Sequence, residues 1–173
     1  MTLIPKQSSF EFANYRLLKL SFELNSGFKQ SESEDDLHYH LSIESLVKAL
    51  PRGRSPKEGR SSIVRLDVSV VWSKEDGPFK LDLSCEGLFS CAPDMDLEQY
   101  QSLCELHAPA LLYTQLRPLT RMIAAEAGES FVLPLINLSE TLKRDRAERA
   151  ASDKNPASNK RAVSDKKAAR SKK

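Results

Sequence analysis

The sequence has no long apolar run, only six glycines and only three cysteines in 173 residues. Its longest apolar stretch lies within residues 131–136 (FVLPLI), far short of the roughly 20 apolar residues that cross a bilayer. We therefore expect no membrane insertion. Residues 1–6 (MTLIPK) likewise lack the apolar region of a secretory signal. An odd number of cysteines does not build a disulfide framework, which favours a cytoplasmic protein with free thiols.

The motifs of common enzyme classes are also missing. No G-x-S-x-G, G-x-x-x-x-G-K-[ST] or H-E-x-x-H sequence occurs, so serine hydrolases, P-loop proteins and zinc peptidases are not indicated. His38 and His40 share a predicted strand face but lack convincing third and fourth zinc ligands, and we interpret them as solvated. We interpret Cys85, Cys91 and Cys104 as buried, inert thiols. The sequence therefore predicts no enzyme activity, no metal site and no cofactor.

Charge is distributed unevenly along the chain. Residues 143–173 contain 12 Lys and Arg against 4 Asp and Glu, whereas the preceding 142 residues contain 14 against 20. A body of charge −6 thus carries a tail of charge +8. Beyond Ala150 the only large apolar residue is Val163, too little to offset the entropy of ordering, so we expect disorder there. Such a tail could contact phosphate backbones, but it has no aromatic residue for base stacking; nucleic-acid binding and a solubilising role both stay open.

Four segments alternate apolar and polar residues with a period of two, which is typical of half-buried antiparallel strands. They cover residues 15–25, 38–44, 64–72 and 79–86. In the first, the residues predicted to face the core are Leu18, Leu20, Phe22 and Leu24. The last two strands are separated by residues 74–78 (KEDGP), whose Asp-Gly pair predicts a hairpin turn.

After Pro93 the apolar residues recur at helical spacing. Asp94 or Asp96 can cap the first helix, Pro109 suits the first turn of a second helix, and Gly128 suits its end. A last helix is predicted from Ser139 onward. Four strands followed by helices predict an α+β fold, a four-stranded antiparallel sheet with helices packed on one face.

The connection between the last two helices is unusually apolar. Residues 131–138 read FVLPLINL, although helix connections lie on the surface and are normally polar. This segment therefore either packs into the core or lines a hydrophobic groove that is open to a ligand.

The element order and several short stretches together resemble SecB, the protein-export chaperone, and its SecB-like relatives, some of which are associated with toxin–antitoxin systems. The similarity covers residues 10–142. It is strongest at residues 18–23 (LKLSFE), 86–90 (EGLFS), 108–113 (APALLY) and 131–138. The third stretch resembles the family's P-x-[IL]-L-[FY] helix start, with Arg117 at the position of the family's arginine. The fourth resembles its Phe-Pro-rich loop between helices.

The chain also departs from the family. Thr114 and Val132 stand where the family has prolines. On the outer face of the sheet, where the family presents carboxylates and a leucine to the translocation motor SecA, Glu23 and Asp82 match as partner-binding residues. Lys19 replaces an acid and Lys80 replaces the leucine, so we expect any complex with SecA to be weak.

The resemblance implies an ATP-independent holdase that binds unfolded or precursor polypeptides through apolar grooves and keeps them soluble for export. It also implies a homotetramer, a dimer of dimers. The predicted client-binding residues are Phe131, Leu133, Leu135 and Ile136. Two alternatives stay open: a dedicated chaperone of a toxin–antitoxin system, and a nucleic-acid- or ribosome-associated factor acting through the tail. The expected organisation is an extension (1–9), a SecB-like domain (10–142) and a basic tail (143–173), helical at its start and then disordered.

Overall fold

The computed structural model of the chain describes residues 9–28, 38–51, 59–73 and 77–153. The chain is divided into two compact units; the first ends at Ile136 and the second begins at Asn137. The elements of the first unit are β1 (Phe10–Leu24), β2 (Tyr39–Ala49), β3 (Ser61–Trp72), β4 (Phe79–Cys91), α1 (Leu97–Ser102), a π-helical segment (Leu103–His107) and α2 (Ala108–Glu126). The second unit contains α3 (Leu138–Asp153). Most of the predicted extension, the centre of the predicted hairpin turn and the tail beyond Asp153 lie outside the described residues.

The four strands form one sheet in the order β1-β4-β3-β2, and every neighbouring pair is antiparallel. The predicted α+β fold with a four-stranded antiparallel sheet is confirmed. Because β1 pairs with β4, the edges of the sheet are β1 and β2. No helix among the described residues is long and apolar enough to cross a membrane.

The core lies between the inner face of the sheet and α2. Val64, Leu66 and Val68 alternate along β3 and have no exposed surface, and Leu112 on α2 is equally buried. Gly87 on β4 permits this contact, since a Cβ atom there would lie 2.8 Å from Leu112 Cδ2. The close approach of α2 to β4 thus depends on the missing side chain at this glycine.

β1 departs from the strict alternation predicted for it. One bulge follows Phe12, and a second lies between Leu17 and Lys19. The register places Leu17 opposite the buried Cys85 and leaves Leu18 in the bulge. The prediction that Leu18 faces the core is therefore wrong, because the extra residue of a bulge reverses the alternation on one side of it.

The helical run from Leu97 to Glu126 is continuous. It begins at Asp96, whose Oδ2 atom accepts hydrogen bonds from the backbone N–H groups of Glu98 (2.9 Å) and Gln99 (3.2 Å). Pro109 lies in the first turn of α2, directly after the π-helical segment. A widened turn accommodates the absence of a backbone N–H group at this proline. The run ends near Gly128, whose φ of 80° is the left-handed conformation common after helices.

Candidate functional site

Side chains of α2 hold the connection that follows this helix through hydrogen bonds to the backbone of the connection. Arg117 Nε donates to the carbonyl oxygen of Leu133 (2.8 Å), and the Tyr113 hydroxyl donates to that of Pro134 (3.0 Å). Burial raises the pKa of Tyr113 to about 12, so its hydroxyl keeps the proton it donates at physiological pH. Thr120 Oγ1 accepts from the backbone N–H of Leu133. These contacts fix which side chains of residues 129–136 point inward.

An aromatic cluster, defined here as Tyr39, Trp72, Phe79 and Phe131, lies beside this connection. The ring of Phe131 contacts Phe79 (centroids 4.9 Å apart) and Tyr39 (5.6 Å), and Trp72 contacts both Tyr39 (5.3 Å) and Phe79 (5.1 Å). Trp72 Nε1 donates to the carbonyl oxygen of Phe79 at 2.7 Å, which orients the indole. The indole also packs on Gly77, where a Cβ atom would come within 2.2 Å of the ring. All four ring contacts are edge-on, a favourable arrangement for aromatic rings.

Exposed apolar side chains occur in the cluster and in the connection that carries Phe131. Tyr39 is 39% exposed, Val132 is 42% exposed and Leu135 is 83% exposed, with Ile136 close to Tyr39 in exposed fraction. Together with the half-buried Phe131 they form a surface that we call the apolar rim: Tyr39, Phe131, Val132, Leu135 and Ile136. A group of exposed apolar side chains such as this one favours a binding site for another molecule.

The four predicted client-binding residues have different environments. Phe131 is half-buried within the aromatic cluster, and Leu135 and Ile136 are exposed. Leu133 is 0% exposed, because its backbone is bonded to α2 and its side chain is directed into the protein. Leu133 therefore supports the surface from beneath and presents no atom to a client in this conformation. Client binding by the other three stays a prediction.

Sequence reasoning missed three residues of this region. Tyr39 and Trp72 continue the apolar alternation of β2 and β3, a pattern typical of core residues, and Val132 is only a departure from a family pattern. The register pairs Tyr39 with Trp72 at the end of the two strands, where Tyr39 is exposed. Two aromatic residues at paired strand ends are the signal that could have identified this position.

β2 extends the apolar surface away from the aromatic cluster. Its inner-face residues are half-buried or exposed, whereas those of β3 from Ser62 to Val70, one strand further in, are buried. The half-buried apolar residues are Leu41, Ile43 and Val47. The outer edge of β2 has no neighbouring strand within the described parts of the chain.

The outer face of the sheet carries charges of both signs in cross-strand pairs. Lys19 Nζ lies 3.2 Å from Asp82 Oδ2, and the register sets Glu23 opposite Lys80. A hydrogen bond from Ser69, and then Lys19, hold the pKa of Asp82 below its usual range. Glu23 and Asp82 line the same cavity of about 610 Å³, so the structure brings the two predicted partner-binding residues together. The nearby lysines partly neutralise them.

The cysteines and histidines are the remaining side chains that could carry reactive or metal-binding groups. All three thiols are buried, and burial raises the pKa of Cys85 to about 12 and raises that of Cys104. A protonated thiol is a poor nucleophile at neutral pH. His38 and His40 are exposed. Among the residues that the structure describes, no three side chains of the types that bind metals come together.

Comparisons with known proteins give a fold. No protein-family model and no curated protein sequence matches the chain. The structure of a SecB-like chaperone from Mycobacterium tuberculosis, in complex with a ChAD peptide from the HigA1 antitoxin, is similar with a TM-score of 0.54. The match covers 74% of this chain and 91% of that chain at 15% identity. A Streptococcus agalactiae protein of unknown function matches with a TM-score of 0.48 at 9% identity, over 73% of this chain and 97% of that chain. The chain has a SecB-like fold.

Proposed function

We propose that this chain is an ATP-independent holdase chaperone, which binds unfolded or precursor polypeptides and keeps them soluble in the cytoplasm. The observation that carries the proposal is the apolar rim, an exposed apolar surface built around an aromatic cluster. The chaperone from Mycobacterium tuberculosis, which shares the fold, binds a peptide of an antitoxin. This supports a polypeptide as the ligand of the apolar rim.

The free edge of β2 supplies a second means of holding a polypeptide. An extended segment can add to an exposed strand edge through backbone hydrogen bonds, which do not depend on its sequence. Its alternate side chains would then face the half-buried inner surface of β2. Backbone pairing together with shallow apolar contacts suits a protein that must accept many different non-native chains.

The energy available at one position is small. Burying one large apolar side chain is worth roughly 1.5–3 kcal/mol at most, so a single contact binds weakly. Several contacts along one long client raise the effective affinity without any new chemistry. Weak, multiple and reversible contacts are what a holdase needs in order to release its client. We accordingly propose a binding role without catalysis.

We further propose that the protein assembles as a homotetramer. Tyr15, Leu17 and Leu20 lie on the inner face of β1, yet each is close to 40% exposed in the single chain. Leu18, in the bulge, is exposed to the same degree. Apolar surface on an edge strand favours association, and a second copy of β1 would cover this edge.

Two further roles are compatible with parts of the chain. The antitoxin peptide bound by the structurally similar mycobacterial protein favours a dedicated chaperone of a toxin–antitoxin system as the second candidate. A nucleic-acid- or ribosome-associated factor would instead act through the basic residues 143–173, most of which lie outside the described residues. A neighbouring toxin–antitoxin gene pair would favour the first of these alternatives, and salt-sensitive binding of RNA or DNA would favour the second.

The proposal is tested by suppression of aggregation with two matched variants. Val132→Asp places a charge on the apolar rim, whereas Val71→Asp places the same charge on the outer face of β3 at nearly the same exposure, 42% against 39%. We expect Val132→Asp to weaken suppression of a thermally unfolded client severalfold and Val71→Asp to leave it unchanged, with similar melting temperatures for both. Equal effects of the two variants, or no suppression by the unmodified protein, would contradict the proposal.

A further inference from the structure

A second cavity, of about 330 Å³, lies at the end of the sheet where β3 begins. The end of β2, the start of β3, α1 and the π-helical segment all contribute to its lining. Leu97 on α1 is part of the lining and is 47% exposed, so the cavity has an apolar wall at the surface. The other apolar lining residues are Val47, Ala49, Leu50, Tyr100 and Cys104. A cavity with this lining favours an apolar occupant.

β1 begins at the same end of the sheet. Phe10 pairs with Cys91, and the Cys91 N–H donates to the carbonyl oxygen of Arg60 (3.0 Å), so the three residues lie in one row across β1, β4 and the start of β3. Arg60 lines the cavity. The ring of Phe10 also contacts Tyr100, another lining residue, with the ring centroids 6.1 Å apart. The chain that precedes Phe10 is therefore attached beside the cavity.

The sequence that precedes β1 contains an apolar pair. Residues 1–8 (MTLIPKQS) lie outside the described residues, and Leu3 and Ile4 are adjacent aliphatic residues within them. Pro5 biases the backbone of Ile4 toward an extended conformation, which is unfavourable for a helix at this position. Lys6 is the only charged side chain of residues 1–8. The segment thus combines an apolar pair with one positive charge.

The apolar pair is within reach of the cavity. Neighbouring strands lie about 4.8 Å apart, so the start of β3 is about 10 Å and the end of β2 about 14 Å from the start of β1. Ile4 precedes Ser9 by five residues and Leu3 by six, which allows up to about 17 and 20 Å at roughly 3.3 Å per residue. Four intervening residues are therefore enough for the pair to reach either strand end.

The charge around the cavity is complementary to Lys6. Residues 94–105 cover α1 and part of the π-helical segment, and they contain four acidic residues and no Lys or Arg. The cavity's own cation, Arg60, donates to the carbonyl oxygen of Met95 within this stretch. The acidic residues are Asp94, Asp96, Glu98 and Glu105. Exposed charges contribute little affinity, so the apolar pair must supply most of it.

We propose that the cavity is the docking site of the chain's own N-terminal segment, with Leu3 and Ile4 in the cavity and Lys6 beside the acidic residues 94–105. The occupant is then fixed in sequence and covers Leu97. A short tether raises its effective concentration to the order of millimolar, so contacts by two aliphatic side chains suffice. This proposal does not depend on the proposed function, because the ligand belongs to the same chain.

A pair of introduced cysteines tests the docking. Thr2→Cys and Leu97→Cys place one thiol beside the apolar pair and one at the cavity, whereas the three native thiols are buried. We expect the oxidant diamide to join the new thiols within one chain, which peptide mapping and a single-chain mass on a non-reducing gel identify. Adding Ile4→Ser should slow this cross-link about 10-fold or more, because one buried aliphatic side chain is lost. Gln7→Ser, the matched control in the same segment, should leave the rate unchanged.

A change in the cavity itself completes the test. Ala49→Phe fills the cavity from its own wall and should slow the cross-link as Ile4→Ser does, with circular dichroism showing that the variant is folded. If Ala49→Phe does not fold, the comparison of Ile4→Ser with Gln7→Ser still decides.

Three results would overturn the proposal. No cross-link, or a rate that neither Ile4→Ser nor Ala49→Phe changes, would show that the apolar pair does not occupy the cavity. A product with the mass of two chains would place the segment on a second copy. A cross-link that an unfolded client blocks, but that Ile4→Ser does not slow, would assign the cavity to clients. Suppression of aggregation is measured separately, so the docking can fail while the proposed function stands.

Discussion

At the scale of single residues, Leu133 and Leu135 show how a short loop divides its apolar side chains between support and surface. The two leucines are two positions apart, yet Leu133 is completely buried and Leu135 is the most exposed large apolar side chain that the structure describes. The difference arises because two side chains of α2 hold the backbone of the loop. Arg117 donates a hydrogen bond to the carbonyl oxygen of Leu133, and Tyr113 donates one to the carbonyl oxygen of Pro134. Those hydrogen bonds, rather than the composition of the loop, determine which leucine faces outward.

We predict that Leu133→Asp and Leu135→Asp have opposite consequences. Leu133→Asp buries an unpaired carboxylate and should lower the free energy of unfolding by about 3 kcal/mol or more, a large share of the stability of a typical domain. Leu135→Asp should change stability by less than about 0.5 kcal/mol and should weaken client binding. Urea titrations followed by circular dichroism separate the two effects. A stable Leu133→Asp protein that no longer binds clients would show that Leu133 contacts them directly.

The sequence indicated this site only in part. The apolar composition of residues 131–138 identified the segment, but a loop has no repeating backbone geometry from which inward and outward positions can be read. Tyr39 and Trp72 belong to different strands, and the pairing that brings them together depends on the register. Phe131 joins them only because the connection folds back toward the sheet. The aromatic cluster therefore depends on tertiary contacts that no local pattern specifies.

At the scale of secondary structure, the strand patterns were predicted well wherever one face of the strand is buried. The faces of β2, β3 and β4 follow the expected alternation, because a shift by one residue would expose the whole core face. β1 is an edge strand, and its bulge at Leu18 breaks the pattern without such a penalty. The helix cap at Asp96 was predictable from local chemistry, whereas the π-helical segment before Pro109 was not.

The cap at Asp96 predicts a pH dependence. Hydrogen bonds from the backbone N–H groups of Gln99 and then Glu98 hold the pKa of Asp96 below its usual range. A carboxyl group whose pKa is lowered by folding stabilises the folded state above its unfolded pKa of about 4, and this contribution is lost as the pH falls through the folded-state value. Asp96→Asn retains the acceptor oxygen but removes the charge. We expect it to lower the melting temperature at pH 7 and to match the unmodified protein at pH 2.5. A difference that is independent of pH would contradict this assignment.

The outer face of the sheet predicts weak binding of the motor SecA. Asp82 is already paired with Lys19, and Glu23 lies opposite Lys80, so a basic partner would have to displace an existing lysine. The double variant Glu23→Lys/Asp82→Lys should be nearly neutral for stability and client binding, because both groups are solvated and exposed pairs contribute little. Calorimetric titration with SecA measures the interaction. A tight, salt-sensitive complex that the double variant abolishes would show that this face is a docking surface.

At the scale of the whole molecule, the uncovered apolar face of β1 predicts an oligomer. Light scattering should give a mass near four times the 19.4 kDa of one chain. Leu20→Asp should reduce this mass, because it places a charge on the β1 surface that we propose a second copy covers. Leu46→Asp, an exposed leucine on the outer face of β2, is the matched control and should leave the mass unchanged. A stable monomer of the unmodified protein at micromolar concentration would contradict the proposed assembly.

The most direct test of the central claim is to map a bound client on the protein. Methyl-labelled Leu, Ile and Val residues, together with labelled aromatic rings, can be followed by NMR while a permanently unfolded polypeptide is added without ATP. The account predicts that the largest shifts occur on the apolar rim and along the inner face of β2, at Val132, Leu135, Ile136 and Ile43. Shifts confined to the outer face of the sheet, or to residues 143–173, would contradict the account.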